Sequence, residues 1–233
     1  PSNPKNLKDC INLIIQEKLD LGIAFDGDGD RVGVIDDKGR VLSGDQLLLL
    51  FSYEILKKKK GAKIIGDVKC SQILFDEIKK KLGIPIISQT GHSHVKVNIK
   101  KNKADLAGEM SGHIFFNFNY YGFDDALYSS VKLVELLDKQ SKKLSEIVDQ
   151  FPKAFNTPEI RLECNDLKKF EIINKVTSNQ KRKNQEIIDI DGIRVSSENG
   201  WWLLRASNTQ AELVLRCEAN SLENLKKELL LVK

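Results

Sequence analysis

The chain of 233 residues is long enough for one large domain or two ordinary domains, each with its own core. Hydrophobic residues make up 41% and charged residues 30%, which is typical of a globular protein and excludes a disordered or fibrous one. The net charge of +4, from 37 basic and 33 acidic residues, is too small to indicate a nucleic-acid partner. No apolar run approaches the ~18–20 residues that span a bilayer, so we expect no membrane partner.

Four cysteines are scattered along the chain without a CxxC pair: Cys10, Cys70, Cys164 and Cys217. This spacing argues against a disulfide framework or a zinc site. It is consistent with a reducing compartment, and we expect a cytoplasmic location.

The first half of the chain predicts an α/β layered domain. An amphipathic helix near residues 6–17 is followed by strands at 21–25 and 32–35. From residue 45, helices (45–60, 72–82) alternate with strands (62–65, 84–87, 104–107, 114–118), and a long helix begins near 124. Alternation of this kind is typical of helices layered on a sheet.

The second half predicts a smaller α+β domain. A proline-punctuated stretch at 151–158 indicates a linker, and we place a boundary near 152. Beyond it we expect strands at 160–164, 201–205 and 213–218, helices at 167–177 and from 221, and hairpin turns at 191–192 and 199–200.

The segment 26–31, Asp-Gly-Asp-Gly-Asp-Arg, joins the first two predicted strands. Alternation puts Asp26, Asp28 and Asp30 on one side of the chain, where their charges repel and a hard divalent cation would neutralise them. A solvated acidic turn is the simpler alternative. An EF-hand is excluded because its sixth position, a glycine, is Arg31 here.

Three loops carry polar side chains that suit a functional site, the first with groups for a sugar and the third with groups for a phosphate. Residues 108–113 contain Glu109, Ser111 and His113, and a carboxylate among small residues can accept hydrogen bonds from vicinal hydroxyls. Residues 90–94 contain His92 and His94, although a lone histidine is more often structural. Residues 205–209 form a candidate phosphate clamp of guanidinium, hydroxyls and amide: Arg205, Ser207, Asn208 and Thr209. For the first and third loops, an ordinary polar turn remains the alternative.

Lys69 follows the strand at 62–65, close to the edge of the sheet where α/β proteins form their sites. A partly desolvated lysine there can take part in acid/base chemistry. A surface lysine is the alternative reading.

Trp201 and Trp202 are expected in the core or at an interface.

Taken in order, these segments resemble the α-D-phosphohexomutase superfamily, in its bacterial phosphomannomutase/phosphoglucomutase branch. The resemblance rests on 26–31, 67–70, 90–93, 107–113, 121–125 (Tyr-Gly-Phe-Asp-Asp) and 205–209, and it covers essentially the whole chain. It implies the C-terminal part of the second family domain at 1–40, the third, sugar-recognition domain at 41–152 and the fourth, phosphate-clamp domain at 153–233.

The resemblance also implies roles for individual residues. Asp26, Asp28 and Asp30 would bind Mg²⁺, with Arg31 close to the transferring phosphoryl group. Glu109 and Ser111 would hold sugar hydroxyls, with His113 supporting them, and Lys69 and His92 would serve acid/base work and phosphosugar contact. The clamp residues Arg205, Ser207, Asn208 and Thr209 would bind the non-reacting phosphate. The implied reaction interconverts mannose or glucose 1-phosphate and 6-phosphate through a bisphosphate, as a Mg²⁺-dependent isomerase of carbohydrate metabolism.

Some features depart from the family pattern. Gln210-Ala211 stands where a proline is frequent, and His94 replaces a commonly aliphatic residue. The family's phosphoserine loop, which also supplies a metal ligand, has no match here. We therefore expect a fragment that needs an N-terminal phosphoserine domain as its partner and is inactive alone. A non-catalytic phosphosugar-binding module and a phosphoglucosamine mutase fragment remain alternatives, and the preference between mannose and glucose stays open.

Overall fold

The computed structural model describes residues 1, 3–183, 185–207 and 210–232, which form two compact units. The first unit is Pro1–Phe151 and the second is Pro152–Lys233. Each unit has its own hydrophobic core and its own sheet structure.

The first unit alternates strands and helices along the chain. Its strands are β1 Leu21–Phe25, β2 Val32–Asp36, β3 Val41–Leu42, β4 Lys63–Asp67, β5 Ile84–Ser88, β6 Leu106–Gly108 and β7 Ile114–Phe116. Its α-helices are α1 Lys8–Glu17, α2 Gly44–Lys58, α3 Gln72–Lys80, α4 His92–Asn102, α5 Ala126–Asp138 and α6 Leu144–Val148, and a 3₁₀ helix spans Pro4–Leu7.

The strands of the first unit form two sheets. One is an antiparallel sheet in the order β1-β2-β3, and the other has the order β5-β4-β6-β7. In the second sheet β4 is parallel to both β5 and β6, whereas β7 is antiparallel to β6. The carboxyl ends of β4, β5 and β6 therefore meet at one edge of the sheet, where α/β folds place their sites.

Helices cover both faces of the second sheet. Ile64 of β4 packs in the core that also contains residues of α2 and α3, such as Leu48 and Leu74. Its neighbour Ile65 packs on the opposite face with Val95 and Ile99 of α4. Successive strand residues thus face two different helical layers, as the alternation of Cβ directions requires. The predicted α/β layered fold is confirmed.

Helix starts in this unit follow from capping side chains. Ser71 Oγ accepts a hydrogen bond from the Ile73 amide (3.2 Å) and begins α3. Asp125 Oδ1 accepts one from the Tyr128 amide (2.8 Å) and begins α5. Both are residue types that favour the N-cap because they satisfy an otherwise unpaired amide.

The second unit is α+β. Its strands are β8 Phe155–Asn156, β9 Ile160–Glu163, β10 Ile187–Ile188, β11 Ile193–Ser196, β12 Gly200–Ala206 and β13 Glu212–Ala219, and its helices are α7 Asp166–Arg182 and α8 Leu222–Val232. The antiparallel sheet has the order β10-β11-β12-β13-β8, with β9 also paired to β13.

Both helices of the second unit pack on one face of its sheet. Ile173 of α7 and Leu225 of α8 share a core with Trp202 and Leu215. Trp201 points to the other face, where its Nε1 donates to Glu218 Oε1 (2.9 Å). The smaller α+β C-terminal domain expected from the sequence is confirmed.

Some details differ from the sequence predictions. His92 and His94 lie in the first turn of α4 rather than in a loop, and β8 lies within the stretch predicted as a linker. Among the described helices, none combines the length and apolar character needed to cross a membrane.

The loop at 108–113 is in close contact with two neighbouring elements. A Cβ on Gly44, at the start of α2, would overlap the carbonyl oxygen of Glu109. Gly112 has a φ of +101°, and a Cβ there would lie 2.6 Å from the Val32 carbonyl oxygen of β2. The Val32 amide in turn donates to the Gly112 carbonyl (3.1 Å). Only glycine permits this approach of backbone to backbone.

We expect Gly44→Ala to destabilise the protein by about 1–3 kcal/mol, because the new methyl group displaces the 108–113 backbone. Urea unfolding followed by far-ultraviolet circular dichroism measures the change. Gly27→Ala is the matched control, since no heavy atom lies within 4 Å of a Cβ there. Equal stability of the two variants would contradict the packing role of Gly44.

Candidate functional site

The acidic loop at 26–31 is ordered by its first carboxylate. Asp26 Oδ1 accepts hydrogen bonds from the amides of Asp30 (3.2 Å) and Arg31 (3.1 Å), and Asp26 Oδ2 accepts one from Arg31 Nε (2.5 Å). Burial alone would raise the pKa of Asp26, but the bonds from Arg31 lower it to about 2. Asp26 is therefore a fixed negative charge.

The three carboxylates of this loop fit a hard cation. One oxygen from each of Asp26, Asp28 and Asp30 lies within 4.8 Å of the others. Asp30 Oδ1 is buried and has no hydrogen-bond partner in the described part of the chain. Burial raises the pKa of Asp30, His113 opposes the rise, and the charges of Asp26 and Asp28 reinforce it. An oxygen-only donor set of this charge is what Mg²⁺ prefers.

The acidic loop is joined to the loop at 108–113. Arg31 and His113 pair as an antiparallel bridge. His113 Nδ1 lies 3.7 Å from Asp30 Oδ1, and His113 Nε2 lies 3.9 Å from Glu109 Oε2. The metal-type loop and the predicted sugar loop thus form one continuous site.

Three predicted residues come together at the carboxyl ends of the parallel strands. Lys69 follows β4, His92 follows β5, and Glu109 follows β6. The Gly91 amide donates to Glu109 Oε1 (2.5 Å), which ties the second of these loops to the third. Burial raises the pKa of Glu109, and the positive charge of Lys69 opposes this rise.

Glu109 is the most strongly perturbed carboxyl of the site. It is 2% exposed, and burial is the main cause that raises its pKa to about 7. The negative charges of Asp67 and Asp124 raise this pKa further, whereas the Gly91 amide and Lys69 lower it. Glu109 can therefore change between acceptor and donor near neutral pH.

The two site histidines are stacked and share a buried carboxylate. The rings of His92 and His113 lie 5.8 Å apart at 19°. Asp124 Oδ2 lies 3.2 Å from His113 Nδ1 and 3.6 Å from His92 Nδ1, while its Oδ1 lies 2.6 Å from Lys96 Nζ. Burial lowers the pKa of His113, although Asp30 and Asp124 oppose the change. Asp30 and Asp124 thus lie beside His113 Nδ1, which makes no hydrogen bond among the described residues.

Asp124 and Lys96 belong to this cluster, yet neither was assigned a role from the sequence. The signal for Asp124 was present, since it lies in the motif at 121–125, directly before the N-cap that begins α5. Lys96 lies one helical turn after His92 in α4, and its place became visible only once that helix was recognised.

Ser111 lies half-buried in the same loop as Glu109. His94 packs near Gly91 in the first turn of α4.

The predicted phosphate clamp lies in the second unit, where the end of β12 leads into the connection to β13. Arg205 is 6% exposed; its Nε donates to Asp191 Oδ2 (3.1 Å), and its buried Nη2 has no partner among the described residues. Ser207 Oγ accepts from the Gln210 amide (3.2 Å). Asn208 and Thr209 lie outside the described residues.

Comparison with known proteins identifies the family of this chain. Three sequence models of the phosphoglucomutase/phosphomannomutase family match this chain: alpha/beta/alpha domain II at 1–39, alpha/beta/alpha domain III at 43–155 and the C-terminal domain at 159–229. The chain belongs to the phosphoglucomutase/phosphomannomutase family. The family expected from the sequence motifs is confirmed.

Individual relatives agree with this assignment. The chain is 44% identical to a phosphomannomutase/phosphoglucomutase of Pseudomonas syringae pv. tomato, over 97% of this chain and 49% of that protein. It is 41% identical to a phosphoglucomutase of Neisseria gonorrhoeae, over 95% of this chain and 48% of that protein. A crystal structure of a phosphoglucomutase/phosphomannomutase family protein from Burkholderia thailandensis superimposes with a TM-score of 0.91 at 40% identity, covering 98% of this chain and 48% of that one. The chain thus spans about half the length of the curated relatives it matches.

The raised pKa of Glu109 predicts a stability that depends on pH. The unfolded carboxyl titrates near 4.5 and the folded one near 7, so the folded state holds an extra proton between these values. The free energy of unfolding contributed by Glu109 therefore falls as the pH rises from 4.5 to 7, by on the order of 3 kcal/mol. Glu109→Gln removes this loss, and we expect the variant to exceed the parent in stability at pH 8 but not at pH 4.5.

Denaturant unfolding at a series of pH values measures this difference. Glu17→Gln, at an exposed position in α1, is the control and should follow the parent at every pH. A Glu109→Gln variant that is less stable than the parent at pH 8 would contradict the assignment of a buried carboxyl with a raised pKa.

Proposed function

We propose that this chain forms the metal-, sugar- and phosphate-binding parts of a phosphomannomutase/phosphoglucomutase. The reaction interconverts hexose 1-phosphates and hexose 6-phosphates of mannose or glucose through a bisphosphate. The observation that carries the proposal is Glu109, a buried carboxylate on one loop with His113, against the acidic loop and at the carboxyl edge of the sheet. Family membership supports it, because the relatives are named for this activity.

The acidic loop is proposed to hold the metal. Asp26, Asp28 and Asp30 would bind Mg²⁺, which when bound neutralises negative charge on the transferring phosphoryl group. Arg31 contributes a second positive charge beside it. The salt bridge to Asp26 restricts the Arg31 side chain and so keeps the guanidinium beside the carboxylates.

The loop at 108–113 is proposed to bind the sugar. Glu109, when ionised, accepts hydrogen bonds from two neighbouring hydroxyls, and Ser111 can both donate and accept. A carboxylate that accepts from hydroxyls in either orientation suits both mannose and glucose. The bond from the Gly91 amide fixes the direction of the Glu109 side chain, so little entropy is lost on binding.

Lys69, His92 and His113 are proposed to handle protons and contact the phosphosugar. Asp124 lies beside both Nδ1 atoms, and Lys96 Nζ lies 3.2 Å from His92 Nδ1, so Nε2 of His92 is the ring atom left for ligand contact. Because Lys69 lies within the electrostatic reach of Glu109, it places positive charge beside the sugar hydroxyls. These groups provide position and fixed charge, which is the main protein contribution to phosphoryl transfer.

Arg205 and Ser207 are proposed to bind the phosphate that does not react, together with Asn208 and Thr209. The buried Nη2 of Arg205 is a charged donor for which no partner is found in the described residues, and a phosphate oxygen would satisfy it. Asp191 holds the other side of the guanidinium. The complete reaction further needs a phosphorylated serine. We propose that an N-terminal phosphoserine domain supplies it.

A phosphosugar-binding module without catalysis is the second candidate, favoured by the half-length match to the relatives. Dependence of sugar-phosphate binding on Mg²⁺ distinguishes the two, because only the mutase requires the metal beside the substrate.

A cytoplasmic location is also proposed, supported by free cysteines throughout the described chain.

Calorimetric titration of mannose 1-phosphate tests the proposal. We expect binding that tightens when Mg²⁺ is added, and a loss of about tenfold to hundredfold in affinity for Arg205→Ala, because a charge-assisted pair is removed. Arg182→Ala, at the exposed end of α7, is the matched control. Arg205→Lys keeps the charge but loses the forked geometry, and we expect an intermediate affinity.

Binding of mannose 1-phosphate that Arg205→Ala leaves unchanged would contradict the phosphate clamp. Circular dichroism of each variant separates lost affinity from lost folding. Identical titrations with glucose 1-phosphate measure the preference between the two sugars.

A further inference from the structure

Lys169 is a buried lysine near the start of α7 that contacts the candidate phosphate clamp. It is 6% exposed, although it lies in a helix whose other lysines are exposed to solvent. Its ammonium donates to the carbonyl oxygens of Ser207 (2.8 Å) and Gln210 (3.2 Å). The same ammonium lies 2.7 Å from Asp166 Oδ1, one turn earlier in the helix.

These three partners use all the donors of the side chain. A lysine ammonium has three protons and no acceptor, and three protein oxygens lie within reach of them. No proton is left for a ligand. The role of Lys169 is therefore to hold the polypeptide rather than to bind the phosphate itself.

The two carbonyl groups flank the connection between β12 and β13. The Ser207 amide donates to the Glu212 carbonyl (2.9 Å), which closes the strand pair. The Gln210 carbonyl accepts from the Glu212 amide (2.9 Å) as well as from Lys169. Lys169 therefore ties Ser207, the first residue after β12, to Gln210, which lies just before β13.

The charge of Lys169 adds a second effect. Two of its partners are neutral carbonyls, and the third, Asp166, has a side chain that is 67% exposed and screened by water. The ammonium is thus paired with one exposed carboxylate and lies next to Ser207, which is proposed to contact an anion. A buried lysine is costly unless it is hydrogen-bonded, and here the bonds that stabilise it also hold Ser207 and Gln210.

We propose that Lys169 is a positioning residue that holds Ser207 and Gln210 in the places from which the candidate clamp binds the phosphate group of a sugar phosphate. This inference rests on the proposed function of Arg205 and Ser207 as a phosphate clamp. It gives α7 a role in ligand binding, although no residue of α7 belongs to the site motifs.

The test is calorimetry of mannose 1-phosphate with Lys169→Met and with Lys168→Met as the matched control, since Lys168 is the exposed neighbour on the same helix. We expect Lys169→Met to weaken binding at least tenfold at unchanged stoichiometry, and Lys168→Met to match the parent within twofold. Partial unfolding instead lowers the stoichiometry of binding and leaves the dissociation constant of the folded fraction unchanged. Lys169→Arg retains donors for both carbonyls and should recover affinity to within about threefold.

The outcomes separate this inference from the function on which it rests. If Arg205→Ala abolishes binding while Lys169→Met keeps the parent dissociation constant, the clamp stands and the role of Lys169 is wrong. If Arg205→Ala leaves binding unchanged, the clamp itself is wrong, and the inference about Lys169 is overturned with it. A loss in Lys169→Met that Lys169→Arg does not recover at all also overturns it.

Discussion

The close backbone contact of the loop at 108–113 with β2 and α2 is the constraint on which the first unit depends. Gly112 and Gly44 allow this contact, and a side chain at either position would separate the elements. The contact brings Glu109 and His113, which share the loop, against the acidic residues that follow β1. One packing requirement thus joins the metal-type loop to the sugar-type loop, and the same burial raises the pKa of Glu109.

In the second unit, charged side chains rather than glycines hold the site residues in place. Arg205 is held by Asp191 and Ser207 is held by Lys169, so these two residues of the candidate clamp are fixed by groups that do not need to touch the ligand. In the first unit Asp124 lies beside the Nδ1 atoms of His92 and His113. In both units, buried ionic side chains lie against the groups that are proposed to meet the substrate, as preorganised sites require.

The strands, the layered fold and the approximate site could be predicted from the sequence, because local signals specify them. The apolar runs around residues 26–31 and the alternation of helices and strands are such signals. The start of α4 at His92 was missed because polar residues occupy its first turn, and β3 is too short, at two residues, to leave a pattern. Asp124, Lys96 and Lys169 were missed for a different reason. Their burial comes from tertiary packing, and in the sequence Lys169 looks like the solvent-exposed lysines beside it.

The central claim is that a sugar phosphate binds against Glu109 at the carboxyl edge of the first unit's second sheet. The amide proton of Gly91 reports on this directly, because it is hydrogen-bonded to Glu109 Oε1. In a proton–nitrogen correlation NMR spectrum, addition of mannose 1-phosphate and Mg²⁺ should shift the Gly91 and Gly112 amide signals, and Glu109→Gln should reduce both shifts. Saturating ligand that leaves both signals in place would contradict the account.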